Sequence, residues 1–354
     1  MSVYGAPPSS GEIEVMLFGP GYGEAIAIHL GDGVWLLVDS CIDPCSKEPA
    51  TGKYLDEIGI QPGQVHSIIA SHWHDDHVRG ISQLAEKYPD ANFVFSGIFN
   101  SQEAAAFLAA YSGSVSPNLS RGTNELYMSI LGRQNAFPAL HRTNVLEETL
   151  NAKHVRVTAL SPLPTVHAKF TSFVAQYMAQ KDRPINHAPE IGPNIAAVAL
   201  HIDLGDDAVL LGADLEENSN LGWSAVVADQ WSGVRRPATA YKVAHHGSKT
   251  GDYSRIWTTL LMSNPIACLT PFTRGKCRLP TDVDRGRIKE HTPHAYISSG
   301  ASRQPAMNRD QLKRLADICN SIALVDAGFG AVRLRKQIGA SSWKVEMFGN
   351  AQAL

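Results

Sequence analysis

The chain has 354 residues, 44% hydrophobic and 18% charged, a composition that excludes a disordered or fibrous protein. At about 150 residues per domain the length allows roughly two domains, or one large α/β domain carrying insertions. Lys plus Arg number 31 against 34 Asp plus Glu, a formal charge of −3, so no global basic surface faces nucleic acid and any such contact must be local.

From Ile13 to Asp39 short β-like runs alternate with turns, and Gly31-Asp32-Gly33 marks a tight turn between two of them. Val34 to Val38 is apolar without alternation, the mark of a strand buried on both faces, and it ends at Asp39. A helical stretch is expected around Tyr54 to Ile60, then a second buried strand at Val65 to Ser71 and the polar loop His72-Trp73-His74-Asp75-Asp76-His77. A helix over Gly80 to Tyr88 and a strand at Asn92 to Ser96 follow. Between about 100 and 151 the text is helical and Ala-rich, which reads as an inserted hairpin or cap, before strand texture returns at His154 to Leu160. The segment 165–193 lacks strand texture and ends in a Pro- and Asn-rich loop expected to border a site. Strands are expected at Ala196 to Ile202, Ala208 to Leu211 and Ala240 to Ala244, the last two leading into Asp214 and into His245-His246-Gly247-Ser248. The remainder alternates weakly between strand and helix, with a helix expected at Arg309 to Ile318 and no repeat of fixed period.

The N-terminus has no basic region followed by an apolar run, and no stretch of about 18 apolar residues occurs, so neither an export signal nor a membrane span is expected. Cys41, Cys45, Cys268, Cys277 and Cys319 form an odd, scattered set without a CxxC, which fits a reduced, cytoplasmic compartment. Cys41 and Cys45 read as two loop thiols. Gly19-x-Gly21-x-Gly23 lacks the dinucleotide spacing and opens no helix, so that motif is rejected.

The chemistry is sought in the histidines. His72, His74, Asp76 and His77 stand within six positions directly after an apolar strand, and ligands so placed can serve two cations from opposite sides of one turn. Asp214 and His245-His246 each end a further buried strand. An acid at one strand end is usually a turn residue. Its repetition at successive strand ends points to one shared site at one pole of a sheet.

The set Asp39, HWHDDH, Asp214 and HHGS resembles the metallo-β-lactamase superfamily. That resemblance implies an α/β fold, an αββα sandwich with two divalent metal ions at one edge. The stretches GYGEAIAIHLGDGVWLLVDS, VTALSP, PNIAAVAL, VLLGADLE and KVAHHGS are similar to the metallo-hydrolase domain of the competence protein ComEC and its stand-alone relatives. The likeness runs from about Glu12 to Gly300 and implies a single domain over 1–354, with cap insertions at about 100–150 and 165–190. It implies His72 and His74 on the first metal, Asp76, His77 and His246 on the second, Asp214 bridging, and Asp39 orienting a ligand from behind. His246 is favoured over His245 because the ligand His of the pattern precedes Gly. Many members carry a further His where this chain has Asn194; the competence-type branch tends to carry Asn, which implies a more open first site, and His187 in the preceding loop is the alternative.

Two cations, zinc or manganese, lower the pKa of a bridging water and stabilise charge on the attacked group, so the implied reaction is hydrolysis by a metal-activated hydroxide. Asp76, Asp214, His245 and Lys242 are the candidates to orient the nucleophile, take its proton or steady the leaving group, with Ser248 and Lys249 beside them. Lys242 is equally well read as a surface strand residue. Arg79, Lys249, Arg274, Lys276, Arg278, Arg285 and Arg287 are candidates for a local basic rim. The expected activity is that of a phosphodiesterase or nuclease acting on nucleic acid or a nucleotide. The alternatives are hydrolysis of a small ester, lactone, thioester or cyclic nucleotide, and a catalytically idle scaffold, against which the complete ligand set argues. Self-association and protein partners stay open.

Overall fold

The computed structural model describes residues 3–19, 23–99, 120–179, 192–229, 236–273, 277–300, 314 and 328–354. The first sheet runs in the order β15 (Lys344–Gly349), β14 (Gly330–Gln337), β1 (Glu12–Gly19), β2 (Ala25–His29), β3 (Trp35–Val38), β4 (Val65–Ala70), β5 (Asn92–Ser96) and β6 (Ala136–Ala139). It is antiparallel as far as β3 and parallel from β3 to β6. The second sheet runs β16 (Gln352–Ala353), β13 (Ala295–Ile297), β12 (Leu261–Leu269), β11 (Ala238–Lys242), β10 (Ala208–Leu211), β9 (Leu200–Asp203), β8 (Lys153–Ala159) and β7 (Asn144–Leu150). Here β10 to β13 are parallel and the flanking pairs antiparallel.

Successive residues of a strand face opposite ways. Leu36, Val38, Ile69 and Val94 of the first sheet therefore meet Val157, Leu200, Ile202 and Val209 of the second in one buried cluster between the sheets. Their neighbours Trp35, Leu37, Ile68 and Phe93 turn outward, into the cluster that holds Tyr54 and Leu55 of α1 (Ala50–Glu57) and Leu84 of α3 (Ile81–Lys87). On the other sheet Leu210 and Tyr241 lie in the cluster with Trp223 of α6 (Trp223–Ala228). Two sheets covered by helices on both outer faces explain the unbroken apolar runs, because the central strands have no wet face. Each fully buried Leu or Ile contributes about 1.5–3 kcal/mol relative to exposure.

Several elements depart from the sequence expectation. The helix expected at Tyr54 to Ile60 lies at Ala50–Glu57, and α2 (Asp75–Val78) is a single turn inside the polar loop. Helix α4 (Ser120–Ile130) ends well before 151, and β6 and β7 then extend both sheets. Both are edge strands with weak sequence signals: Pro138 lacks an N–H and is tolerated at an edge, while Glu147 and Glu148 of β7 are exposed. Residues 100–119 lie outside the described residues. Helix α5 (Pro164–Ala179) occupies the first part of the expected second insertion, and 180–191, His187 included, lies outside the described residues. Pro193–Ala196 forms a 3₁₀ turn with Pro at its first position, so β9 starts at Leu200 rather than Ala196. Helix α7 (Asp282–His291) was not anticipated, although Thr281 and Asp284 form a capping box: Thr281 Oγ1 accepts from Asp284 N at 3.2 Å and the Asp284 carboxylate accepts from Thr281 N at 2.9 Å. The helix expected at 309–318 falls almost wholly outside the described residues. Among the described residues no helix is long and apolar enough to cross a membrane.

Candidate metal centre

Strands β3 and β4 are parallel and stop at the same level, so Asp39 and Ser71 emerge side by side. Asp39 turns into the left-handed region, φ 59°, and its carboxylate accepts from Ser71 N, from Ser71 Oγ and from His77 Nδ1, each at 2.7 Å. Ser71 Oγ spends its proton on Asp39, so it accepts from His72 Nδ1 at 3.0 Å. Those bonds place the protons of His72 and His77 on Nδ1 and leave both Nε2 lone pairs facing inward. The single turn α2 presents Asp76 and His77 together, held by the His74 carbonyl, which accepts from His77 N at 2.9 Å.

From the second sheet come Asp214, after β10, and His246, after β11. Gly212 permits the first exit, since a Cβ there would sit 2.8 Å from the Ala244 Cβ. Ala213, His245 and His246 adopt φ values of 45°, 48° and 51°, conformations that cost non-glycine residues energy and that collect at functional sites. His246 Nδ1 donates to Thr270 Oγ1 at 3.1 Å and to the Thr270 carbonyl at 3.2 Å, so its Nε2 also faces inward. The donors thus come from two sheets rather than from one sheet edge.

The inward atoms crowd together. His77 Nε2 lies 3.3 Å from Asp214 Oδ1 and 3.6 Å from Asp76 Oδ2, and His246 Nε2 lies 3.2 Å from Asp76 Oδ2 and 3.3 Å from Asp214 Oδ2. Asp76, His77, Asp214 and His246 are all buried, and one ligand atom from each falls within 4.8 Å of the others. His77 Nε2 and Asp214 Oδ1, 3.3 Å apart, fall short of hydrogen-bond geometry, a costly state for buried polar atoms that a cation displacing the His77 proton would relieve. Beside them the acceptor His72 Nε2 lies 3.1 Å from His74 Nδ1, a pair that a proton or a cation can join.

Charge follows the same geometry. Burial alone would lower His77, but the carboxylates of Asp214, Asp76 and Asp39 hold it well above its usual value. His246 is likewise lowered by burial and raised by Asp214 and Asp76, with the net at about 9. Asp214 and Asp76 are held below the ordinary carboxylate range: burial raises them, and His246 and His77 more than offset it. His72 and His74 are lowered, chiefly by burial, and stay neutral. Imidazole nitrogen and carboxylate oxygen, with two imidazoles neutral and two carrying displaceable protons, form a donor set suited to a divalent ion such as zinc or manganese.

Residues 18–167 match the family model described as the metallo-beta-lactamase superfamily. The two sheets with helices outside them, and that match over part of the chain, give the metallo-β-lactamase fold. Its members are generally metal-dependent hydrolases. Among solved structures the chain is similar to YhfI from Bacillus subtilis, at 13% identity over 81% of this chain and 95% of that one, TM-score 0.40. It is also similar to the metallo-β-lactamase SMB-1 bound to 2-mercaptoethanesulfonate, at 14% identity over 72% and 85%, TM-score 0.35. A third is Zn(2+)-bound PqqB from Methylobacterium extorquens, at 15% identity over 62% and 56%, TM-score 0.31. No curated protein matches the chain in sequence.

Within this metallo-β-lactamase fold the other sequence candidates take varied places. Lys242 is neither on the surface nor at the cavity: it is 3% exposed, and its Nζ forms an ion pair with Glu24 Oε1 at 2.6 Å and donates to the Ala213 carbonyl at 2.8 Å. A strand with no wet face leaves a lysine no route to solvent, so it must be paired. His245 turns away from the four-residue cluster. Its Nδ1 meets Thr250 Oγ1 at 2.7 Å and Glu216 Oε1 at 3.1 Å, its Nε2 accepts from Asn194 Nδ2 at 3.2 Å, and burial lowers its pKa. Asn194 Oδ1 is buried without a partner. Ser248 caps the turn that follows, accepting from Thr250 N at 3.3 Å, and Lys249 is exposed.

A cavity of about 230 Å³ opens over the cluster, bordered by His74, Asp75, Asp76, Asn194, Asp214, His245 and His246 on the polar side and by Phe272, Cys277 and Leu279 opposite. Among the described residues no Lys or Arg lines it. Arg287 of the expected basic rim is committed elsewhere, to Asp284, Asp252 and the Gly247 carbonyl. Arg79 and Arg278 are exposed, and Arg274 and Lys276 lie outside the described residues. Cys41 is buried and Cys45 exposed, both free. Sequence reasoning missed Glu24, Ser71, Glu216, Thr250 and Thr270, all of which touch the site through tertiary contacts with no local motif.

Proposed function

We propose that the chain is a metal-dependent phosphodiesterase or nuclease of the competence type, holding one divalent ion on His72 and His74, a second on Asp76, His77 and His246, and both on Asp214. The observation that carries the reading is the convergence of inward lone pairs from two sheets beneath an open cavity. When bound, two such ions supply Lewis acidity, lowering the pKa of water and drawing charge off the attacked group. Asp39, Ser71 and Thr270 fix the imidazole tautomers, so that Nε2 of His72, His77 and His246 is always the donor atom. Asp76, which borders the cavity, is the group assigned here to take the proton of an attacking water. His245 and Asn194 form the polar wall against which the substrate's head rests, and Phe272 and Leu279 exclude water from the far side. The text KVAHHGS and Asn194 in place of a further His support the competence-type reading.

A second reading, hydrolysis of a small ester, lactone, thioester or cyclic nucleotide, is favoured by one observation. The cavity is small, partly apolar and, among the described residues, without Lys or Arg, which suits a small substrate better than a polyanion. Both readings are tested by offering protein loaded with zinc or manganese bis-p-nitrophenyl phosphate, labelled single- and double-stranded DNA and RNA, a cyclic nucleotide, p-nitrophenyl acetate and a lactone. Cleavage of the diester and of polymer is the expected result. Cleavage of the diester and cyclic nucleotide without polymer moves the assignment to a small-molecule phosphodiesterase, and turnover of the acetate or lactone alone overturns phosphoryl chemistry.

A further inference from the structure

Glu24 stands just before β2, fully buried, with no motif to mark it. Its backbone N–H donates to the Asp76 carbonyl at 2.8 Å. Its Oε2 accepts from Thr270 Oγ1 at 2.5 Å, and because that hydroxyl proton is spent, Thr270 Oγ1 is the acceptor for His246 Nδ1. Its Oε1 holds the Lys242 ammonium at 2.6 Å, while Lys242 Nζ stays 3.8 Å from Asp214 Oδ1. Glu24 is therefore tied to the backbone of Asp76 by its N–H and, by its carboxylate, to the ring of His246 through Thr270 and to the surroundings of Asp214 through Lys242. Asp39 serves the remaining member of the cluster, His77.

The distances around Lys242 carry the argument. A buried ammonium next to a buried carboxylate closes to an ion pair unless a better partner holds it. Glu24 is that partner. With the lysine drawn to Glu24 and to the Ala213 carbonyl, Lys242 Nζ stays beyond hydrogen-bond reach of Asp214 Oδ1, which makes no hydrogen bond. Glu24, Asp39 and His77 also lie close enough to suggest a cation site of their own. The partners exclude it: Lys242 and Thr270 occupy Glu24, and Ser71 and His77 occupy Asp39.

We propose that Glu24 is a positioning residue for the second cation, orienting His246 through Thr270 and keeping Lys242 from competing with the cation for Asp214. This rests on the reading that Asp76, His77, Asp214 and His246 hold a divalent ion, and it adds a claim of sign. Removing the Glu24 charge alone releases Lys242 onto Asp214, whereas removing both charges does not.

The test needs no substrate. Cobalt(II) titrations followed by visible absorption, and zinc equilibrium dialysis, are run on wild type, Glu24→Gln, the double variant Glu24→Gln/Lys242→Met, and Thr270→Val, with melting of each metal-free protein as a folding control. Glu24→Gln is expected to weaken the second cation about 10–100-fold, in the range typical of residues that orient ligands from behind, and to weaken the first less, because Asp214 is the only ligand of that site it disturbs. The double variant is expected to recover most of that loss, and Thr270→Val to show a smaller loss with an altered cobalt spectrum. A purely structural role would make the double variant weaker than the single one, and that result overturns the proposal, as does wild-type affinity in Glu24→Gln. If Glu24→Gln does not fold, the double variant decides: tight binding supports the proposal and weak binding overturns it. Failure of the wild type to bind any cation would fell the underlying reading and this proposal with it, whereas wild-type binding with an unaffected Glu24→Gln fells this proposal alone.

Discussion

Asp39→Asn is the substitution that separates shape from charge most cleanly. The amide keeps the volume, and one oxygen can still accept from Ser71 N. The other carboxylate oxygen accepts from both Ser71 Oγ and His77 Nδ1, and an NH₂ group in that place reverses the demand on each. His77 must then offer its Nδ1 lone pair and carry its proton on Nε2, the atom that faces Asp214 and Asp76. That is the wrong tautomer for a ligand. The expected loss in affinity for the second cation is about 10–100-fold, or roughly 1.4–2.7 kcal/mol. The metal-free fold loses a charge-assisted bond between fully buried groups, worth about 1.5–3 kcal/mol. Competition with a chromogenic chelator gives the affinity, and denaturant melting of the metal-free protein gives the stability. An affinity within twofold of wild type would refute the idea that Asp39 sets the His77 tautomer.

His246→Ala should abolish the second cation while His245→Ala retains both, with metal content measured after dialysis; equal losses would erase the distinction between the paired histidines. Metal binding should strengthen as pH rises toward about 9, because protons on His246 and His77 must leave first, and titrations in buffers of different ionisation enthalpy should count about two protons released near neutrality. His246 is raised from about 6.5 to about 9, so its contribution to metal-free stability is complete below about 6.5 and is lost as pH rises through about 9; the metal-free melting temperature should fall over that window. Leu36→Ala, in the cluster between the sheets, should cost roughly 2–5 kcal/mol in denaturant melts without changing metal content per folded chain.

The HWHDDH loop was legible because its donors are contiguous, so their chemistry needs no tertiary knowledge to be noticed. Asp214 and His246 could be read from strand ends that repeat the same chemistry, although their strands β10 and β11 prove to lie in a different sheet from β4, which carries the HWHDDH loop. Lys242 was misread because a strand-end lysine looks solvated until the strand is known to be covered on both faces. Glu24 and Thr270 were illegible: their hydrogen bond spans 246 residues and joins two residue types found in any sequence. The edge strands β6 and β7 escaped notice because an edge tolerates the proline and exposed acids that break a strand signal. The capping box before α7 was visible in TDVD, and a search for helix starts would have found it.

The central claim is that the inward donors hold two cations and that hydrolysis depends on them. The most direct measurement is elemental analysis of dialysed wild type, His77→Ala and Asp214→Ala, alongside their rates on bis-p-nitrophenyl phosphate. The expected result is about two divalent ions per wild-type chain, at most about one in either variant, and a rate that falls with the second ion. Wild-type turnover in either variant, or a wild-type chain that retains no metal, would contradict it.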